Sequence, residues 1–298
     1  MASDRPTPRV GVAVPAMSLR SRLLREPRPL VSLAQPRGSV HLEGDQQGTE
    51  LERADRVAVL AHWDPGGRVR RSPRALVEAL ERAGYRAVLV STAASSGPLD
   101  WHGGRPAGVM VVRRPNLGYD FGSWATALDL IPAIRGVPAV LLMNDSLAGP
   151  FAAIDHLLDR FHQSDADVWG MTDTNQLGQH LQSYCLGFKG GCLDAAPLRR
   201  FWKGIRVEAT RDDVIRRYEL GLSRILRREH YRTEAAIEGW RAVDGDDNPT
   251  IMGWQRLLDL GFPFVKRQIL RDPGVCPDGH SVREELRRRF GVEADEWL

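Results

Sequence analysis

Residues 56–91, RVAVLAHWDPGGRVRRSPRALVEALERAGYRAVLVS, predict the fold class of the chain. Residues 57–61 form a short apolar run, which is typical of a strand buried on both faces of a sheet. Ser72 offers an N-cap, Pro73 suits the first helical position, and Gly84 follows the last apolar residue of a helical repeat. Residues 86–91 are again mostly apolar. The stretch therefore predicts a strand, a helix and a second strand.

The same alternation continues along the chain. Apolar runs predict strands at residues 108–112, 139–143 and 167–171, with helices around 123–131 and 151–161. The less regular second half predicts β structure over 180–188 and 264–270, and helices over 194–203, 212–228, 248–260 and 281–290. Strands that alternate with helices of about 10–15 residues indicate an α/β fold, a mostly parallel sheet flanked by helices.

Polar residues follow the predicted strands at the edge where such sheets bind ligands. These segments are residues 62–64, 91–92, 113–120, 144–146 and 172–173, and four of the five contain an aspartate. A single aspartate after a strand is as often an N-cap or turn residue as a ligand. Its recurrence on one edge favours a functional site there.

The composition is that of an ordinary globular protein, with 42% hydrophobic and 27% charged residues in a chain of 298. The net charge is +3 and its excess lies in residues 1–40, so the rest of the chain has little electrostatic footprint for nucleic acid. Three widely spaced cysteines make neither a disulfide framework nor a metal site. The apolar runs are shorter than a membrane span of ~20 residues, and no secretory signal is recognisable. We expect a cytoplasmic protein.

Three segments are expected along the chain. Residues 1–50 hold six of the 19 prolines and predict a flexible basic extension. Within it, residues 18–25 could form a basic amphipathic helix in peripheral contact with the inner face of the cell membrane, although a solvated tail is the alternative. Residues 51–275 are expected to form a single domain, and residues 276–298 a charged helix packed on that domain or trailing from it.

The turn after the third strand of the domain suits a phosphate group. Residues 116–122, NLGYDFG, match a dinucleotide-binding fingerprint only loosely, because the first position is Asn116. They still join a strand to a helix, where backbone amides and the helix dipole favour a diphosphate. Arg113 or Arg114 could add charge-assisted contacts. Signature motifs of P-loop proteins, α/β-hydrolases and zinc proteases are absent from the sequence.

An ordered series of sequence blocks carries a resemblance to a known family. The blocks are residues 114–124 (RPNLGYDFGSW), 143–150 (MNDSLAGP), 169–172 (WGMT), 180–184 (HLQSY), 218–223 (YELGLS), 248–250 (NPT) and 261–266 (GFPFVK). Over about residues 56–272 the chain resembles the rhamnan synthesis protein F (RgpF) family. That resemblance implies a bacterial glycosyltransferase of cell-surface polysaccharide synthesis, often a rhamnosyltransferase, with a GT-A-like, Rossmann-like fold.

The resemblance also implies roles at the polar edge. The turn from Asn116 to Asp120 would contact the diphosphate of a nucleotide-sugar donor, and Asp64 would lie close to its base. The full set of donor-binding residues predicted in this way is His62, Asp64, Arg114, Asn116, Gly118, Asp120, Asn144, Asp145, Ser146 and Lys266.

Residues 144–146 stand where GT-A enzymes carry a metal-binding D-x-D. Asp145 is the acid of this triplet and the candidate metal ligand, while Ser146 takes the usual ligand position. Mg²⁺ and Mn²⁺ require several oxygen ligands and favour carboxylates. The sequence therefore leaves dependence on Mg²⁺ or Mn²⁺ open.

The helix predicted over residues 212–228 resembles the base-bearing helix of inverting GT-A transferases. Glu219 would accept the proton of the acceptor hydroxyl, with Asp213 as the second candidate; the alternative is an exposed carboxylate paired with a neighbouring arginine. His180 and Gln182 alternate along a strand and share a face, so they could bind acceptor hydroxyls. A lone histidine is nevertheless more often structural.

The sequence thus predicts an inverting glycosyltransferase that moves a deoxyhexose such as rhamnose. The donor would be dTDP-rhamnose or a similar nucleotide sugar, and the acceptor a glycan or lipid-linked glycan. The alternative is a non-catalytic module that binds nucleotide sugar or glycan on a degenerate GT-A fold, which the reduced 144–146 triplet favours. Release of nucleoside diphosphate from the donor would separate the two.

Overall fold

The computed structural model of the chain describes residues 28–43, 51, 53–95 and 97–298. The strands are β1 (His41–Leu42), β2 (Arg56–His62), β3 (Arg68–Val69), β4 (Arg86–Ser91), β5 (Asp100–Trp101), β6 (Met110–Arg113), β7 (Ala139–Asn144), β8 (Leu147–Ala148), β9 (Val168–Thr174), β10 (His180–Leu181), β11 (Cys185–Lys189), β12 (Thr233–Ile237) and β13 (Val265–Lys266). The helices are α1 (Val31–Ala34), α2 (Arg71–Arg82), α3 (Tyr119–Leu130), α4 (Asp155–Gln163), α5 (Ala196–Lys203), α6 (Arg211–Val214), α7 (Leu220–Arg228), α8 (Pro249–Met252), α9 (Trp254–Asp259), α10 (Arg267–Arg271) and α11 (Val282–Phe290).

Within the described residues, nine strands form one mixed, mostly parallel sheet in the order β1-β6-β4-β2-β7-β11-β9-β10, with β12 beside β9. β2 pairs in parallel with β4 and with β7, and β4 pairs in parallel with β6. The carboxyl ends of these four strands therefore lie on one edge of the sheet. β11 runs antiparallel between β7 and β9. The prediction of a single α/β domain with a Rossmann-like, mostly parallel sheet is confirmed.

The sheet is buried on both faces, as the continuous apolar runs predicted. In β2, Ala58 and Leu60 join the core that contains the apolar face of α2. Val57 and Val59 point to the opposite face and join the core that contains α3. Because successive side chains of a strand point to opposite faces, a run without polar residues fits this two-sided burial.

Three elements of the second half differ from the predictions. The strand predicted over residues 264–270 is limited to β13, because the chain turns into α10 directly after Lys266. The helix predicted over residues 212–228 contains a π-helical turn, Ile215–Glu219, between α6 and α7. β12 was not predicted, since Thr-Glu-Ala-Ala-Ile has neither polar alternation nor strong β propensity and depends on pairing with β9.

The first residues of the described part pack against the domain, and this corrects the predicted extension. Residues 28–43 are not a flexible tail: β1 pairs with β6, and the Val31 amide donates to the carbonyl of Ile205. Arg28 forms an ion pair with Glu208, whose side chain is buried. The remaining residues of the predicted extension, including the proposed membrane-contacting segment 18–25, lie outside the described residues.

Val31 should therefore contribute to stability. Its side chain is 1% exposed, and its Cγ2 would lie 2.6 Å from a Cβ added at Gly118. We expect Val31→Ala to lower the free energy of unfolding by about 2 kcal/mol, because most of a buried valine side chain is lost. The matched control is Leu33→Ala, which removes a side chain that is 77% exposed and should change stability by less than about 0.5 kcal/mol. Urea unfolding measures both, and equal effects would contradict the packing of this segment.

The carboxyl-terminal residues also pack on the domain. The Ser72 hydroxyl donates to the carbonyl of Trp297 at 2.6 Å, and the Arg71 guanidinium lies 4.7 Å from the centroid of the Trp297 ring. These contacts fasten the chain end to the start of α2. No helix among the described residues combines the length and the apolar character needed to cross a membrane.

Candidate functional site

The polar edge of the sheet opens into a cavity of about 570 Å³, here called the larger cavity. It lies beyond the carboxyl ends of β2, β6 and β7, and the segment that begins α10 closes one side. Its wall carries four arginine or lysine side chains and three carboxylates: Arg211, Lys266, Arg267 and Arg271, with Asp120, Asp145 and Asp272. A space of this size with several cationic groups suits an anionic small molecule.

A second cavity of about 250 Å³, the smaller cavity, adjoins the first. It is lined by residues from the ends of β9 and β10 and from the π-helical turn, among them His180, Gln182 and Glu219. Five residues line both cavities: Tyr119, Asp120, Ser146, Arg211 and Lys266. The two spaces therefore share a wall.

Residues 144–146 form a hydrogen-bonded turn at the end of β7. The Asn144 amide oxygen accepts bonds from the backbone amide and the hydroxyl of Ser146, at 3.1 and 2.6 Å. These two bonds orient the Asn144 amide so that its Nδ2 donates to Asp120 Oδ2 at 2.7 Å. Asp145 accepts a bond from the backbone amide of Trp63 at 3.1 Å.

Lys266 reaches this turn because β13 pairs antiparallel with β8. Its ammonium donates to the Ser146 hydroxyl at 3.1 Å and lies 5.4 Å from the centroid of the Tyr184 ring. Burial, together with the nearby positive charge of Arg211, lowers the pKa of Lys266 to about 8, while Glu219 and Asp120 favour its charged form. The shared wall thus contains a buried cation that is still mostly protonated at neutral pH.

Asp120 stands in the first turn of α3, directly after Tyr119, which adopts a left-handed backbone with φ 55°. A bulky residue in this conformation is strained, and such strain is often found at functional sites. Burial and the neighbouring Asp145 carboxylate raise the pKa of Asp120 to about 7, although Lys266 and the bond from Asn144 favour the ionised form. Asp120 is therefore poised to exchange a proton near neutrality.

Glu219 ends the π-helical turn and faces the smaller cavity. Its Oε1 accepts a hydrogen bond from Ser183 at 2.8 Å, and its Oε2 lies 3.5 Å from His180 Nε2. Burial opposes ionisation of Glu219, but the bonds from His180 and Ser183 outweigh it and lower its pKa. Burial likewise opposes protonation of His180, yet the bond to Glu219 and the bond to the Gly178 carbonyl raise the pKa of this imidazole. The two groups are placed to form an ion pair when the His180 imidazole is protonated.

The structure places several predicted site residues away from the cavity walls. The Asp64 carboxylate accepts bonds from the backbone amides of Gly66 and Arg68 and from the Arg70 side chain, so it orders the turn after β2. Arg114 is buried and donates to the Ser123 hydroxyl at 2.9 Å, bracing the turn that starts α3. Asp213 pairs with Arg28 near the start of α6.

Other predicted residues do reach the cavities. His62, Asn116, Asp145 and Ser146 line the larger cavity; Asn144 and Ser146 line the smaller one. Gly118 lines neither cavity and adopts a left-handed backbone, with φ 76°, at the residue before α3. Gln182 lies in the smaller cavity and donates to Asn248 Oδ1 at 3.0 Å. The residues predicted as donor-binding and acceptor-binding thus fall largely on two neighbouring surfaces.

The residues around Asp145 do not suit a divalent cation. Asp145 Oδ2 lies 3.8 Å from Arg267 Nη1, and Ser146 is bonded to the Lys266 ammonium. A metal ion at the triplet would face both of these cations, and the nearby Asp120 carboxylate is already bonded to the Asn144 amide, whereas Mg²⁺ and Mn²⁺ favour several free oxygen ligands. In the described part of the chain, no group of three His, Cys, Asp or Glu side chains is placed to hold a metal ion.

Comparison with known proteins identifies the family. Residues 109–285, which contain the shared wall and Glu219, match the family model described as rhamnan synthesis protein F. The chain belongs to this family. Rhamnan synthesis protein F is associated with polysaccharide synthesis, so the chain has a role in that class of process. The matched region begins after β2 and β4, and therefore excludes His62 and Asp64.

Two curated relatives extend the comparison. Over 209 residues the chain is 30% identical to the virulence protein VirA of Vibrio anguillarum, a match that covers 59% of this chain and 67% of that protein. Over 120 residues it is 28% identical to the uncharacterized protein y4gN of Sinorhizobium fredii, covering 39% of this chain and 31% of that protein.

Three residues of the site were missed by sequence reasoning in this rhamnan synthesis F member. Trp63 exposes about half of its side chain at the larger cavity, and Arg211 and Arg267 add cations. The position of Trp63 directly after a predicted strand was a usable signal. The two arginines could not be singled out among the many of the chain, because the α6 and α10 segments approach the edge through long-range contacts.

Proposed function

We propose that this rhamnan synthesis F protein is an inverting glycosyltransferase, with a GT-A-like arrangement of donor and acceptor sites. The main support for this function is the pair of adjoining cavities, whose shared wall includes Asp120, Ser146 and Lys266. Transfer between two substrates requires that both be held in contact with water excluded between them. A protein that only binds a nucleotide sugar has no need of the second cavity.

The donor, a nucleotide sugar such as dTDP-rhamnose, occupies the larger cavity in this proposal. Its diphosphate lies toward Lys266 and Arg267, whose charges stabilise the leaving group as the bond to the sugar breaks. Trp63 and Tyr119 offer exposed aromatic surfaces at this cavity for stacking of the base or sugar. Because protein cations already stand at the 144–146 turn, we propose that transfer does not depend on Mg²⁺ or Mn²⁺.

The acceptor, a glycan or lipid-linked glycan, places its terminal sugar in the smaller cavity. The Glu219–His180 ion pair and the amide of Gln182 present both donors and acceptors of hydrogen bonds, which suits recognition of sugar hydroxyls. In this pose the attacking hydroxyl points to the shared wall. The acceptor oxygen then displaces the diphosphate from the face opposite to it, with inversion at the anomeric carbon.

Donor binding tests this placement. We expect dTDP-rhamnose to raise the melting temperature of the wild-type protein, and Trp63→Ala to weaken its binding by roughly 5-fold to 150-fold, since base stacking on an aromatic ring contributes about 1–3 kcal/mol. The matched control is Trp240→Ala, which removes an exposed tryptophan outside both cavities. Isothermal calorimetry measures the affinities. Equal affinity of wild type and Trp63→Ala would contradict the donor position.

A further inference from the structure

The shared wall contains a carboxylate with an available oxygen. Asp120 lines both cavities, and Asn144 holds its Oδ2 at 2.7 Å. Its Oδ1 receives no hydrogen bond from any described residue. Asn144 is itself fixed by two bonds from Ser146, so the carboxyl group is oriented and one of its oxygens remains unused.

Glu219 is placed differently from Asp120, although the family resemblance predicts that Glu219 takes the proton. Glu219 lines the smaller cavity and is absent from the wall of the larger one. Both of its oxygens are engaged, one by Ser183 and the other by His180. A proton accepted by Glu219 would remove its negative charge and so weaken its interaction with the His180 imidazole. This geometry suits a group that orients the acceptor.

We propose that Asp120 is the catalytic base that receives the proton of the acceptor hydroxyl, an inference that rests on the proposed transfer reaction. A base must lie within hydrogen-bond reach of the attacking hydroxyl while the bond to the anomeric carbon forms. Among the described carboxylates that line the two cavities, Asp120 is the one that lines both. Glu219 and His180 then act as positioning residues on the acceptor side.

The acceptor oxygen forms a bond to the anomeric carbon, and the carbon–oxygen bond to the diphosphate breaks. The electron pair of the broken bond leaves on the diphosphate, whose added negative charge faces Lys266 and Arg267. The hydroxyl proton passes to Asp120 Oδ1 and is later released to solvent.

The charges around Asp120 support this role. Asp145 and Glu219 oppose its ionisation, while Lys266 favours it. Two arginines also lie near Asp120: Arg211 lines both cavities, and the charged form of Arg114 is favoured by Asp120 although burial lowers the pKa of this arginine to about 10. Burial, together with these charges, raises the pKa of Asp120 to about 7, so the carboxyl group is ionised in a large fraction of molecules at neutral pH and still binds a proton well. The lowered pKa of Glu219 makes it the weaker base.

The test compares Asp120→Asn with Glu219→Gln, using dTDP-rhamnose as donor and a rhamnan oligosaccharide as acceptor. Wild-type kcat/KM should fall below about pH 7, as Asp120 becomes protonated. Asp120→Asn should lower kcat by roughly 10²-fold to 10⁴-fold and remove this pH limb. Glu219→Gln should keep the limb and mainly raise the KM of the acceptor. Asp120→Glu, which retains a carboxyl group, should be faster than Asp120→Asn and should keep the acid limb. It therefore still tests the role of the carboxyl group if Asp120→Asn does not fold.

The outcomes separate the two proposals. Transfer by folded Asp120→Asn within a few-fold of the wild-type rate overturns the role of Asp120, and so does loss of the acid limb in Glu219→Gln alone. A wild-type protein that releases no nucleoside diphosphate from dTDP-rhamnose, UDP-glucose, UDP-galactose or GDP-mannose overturns the transferase function itself. Calorimetric titration of dTDP shows whether each variant still has an intact donor site.

Discussion

Replacement of Lys266 by methionine should lower the rate of sugar transfer by roughly 10²-fold to 10³-fold. The loss is expected because the ammonium stands in the wall between the cavities, where negative charge develops on the departing diphosphate. Methionine keeps most of the volume of the side chain and removes the charge. The free energy of unfolding should fall little or even rise, since a buried cation is costly to desolvate.

Two features make the Lys266→Met result specific. The first is pH dependence: the wild-type rate should fall above about pH 8 as the ammonium loses its proton, and the variant should lack this alkaline limb. The second is the control Lys203→Met, which removes an exposed lysine outside both cavities and should leave kcat unchanged. Steady-state kinetics from pH 6 to 9 measure both variants. A Lys266→Met enzyme within a few-fold of wild type would show that other groups hold the diphosphate.

Replacement of Trp124 by alanine should lower the free energy of unfolding by about 3–5 kcal/mol. The side chain is 0% exposed, and its ring lies 5.1 Å from the ring of Phe121, centroid to centroid. The indole Nε1 donates to the carbonyl of Met143 at 2.9 Å. Trp124 therefore ties α3, which carries Asp120, to the strand that ends in Asn144.

Urea unfolding compares Trp124→Ala with Trp240→Ala, which removes a tryptophan that is 71% exposed. The exposed position should change stability by less than about 0.5 kcal/mol. Trp124→Phe should give an intermediate loss, because it keeps an aromatic ring and leaves the Met143 carbonyl without its donor. Similar losses for the two alanine variants would contradict the position of Trp124 in the core.

The parallel half of the sheet was predictable because its signals are local. The strands β2, β4, β6 and β7 are each a short, mostly apolar run, and Ser72, Pro73 and Gly84 mark the limits of a helix between two of them. The binding edge follows from the same pattern, since carboxyl ends of parallel strands meet on one side. Local sequence therefore predicted most of the architecture.

The parts of the site that depend on contacts between distant segments of the chain were harder to predict from the sequence. Lys266 meets Ser146 across 120 residues of chain, through the pairing of β13 with β8. The π-helical turn that ends at Glu219 has no signature in a helical repeat read at 3.6 residues per turn. The order of residues 28–43 depends on Val31 and β1 finding apolar and backbone partners on the domain. Each outcome is set by tertiary contacts.

The different roles of Asp64 and Asp120 could be assigned only from the folded structure. Asp64 and Asp120 both follow strands, and the sequence treats them alike. In the structure Asp64 is used within a turn, whereas Asp120 keeps one oxygen available between the two cavities. The difference comes from which backbone amides and side chains surround each group.

Release of dTDP from dTDP-rhamnose, measured in buffer with EDTA and with a rhamnan oligosaccharide present, distinguishes metal-independent sugar transfer from mere binding of the donor. We expect the wild-type protein and Lys203→Met to release dTDP and to produce an oligosaccharide longer by one deoxyhexose. Lys266→Met should do so at a far lower rate. Binding of dTDP-rhamnose without any release of dTDP would contradict transfer and would indicate a binding protein. Activity that EDTA abolishes and Mg²⁺ restores would show that a metal ion, and not Lys266 and Arg267, neutralises the charge of the diphosphate.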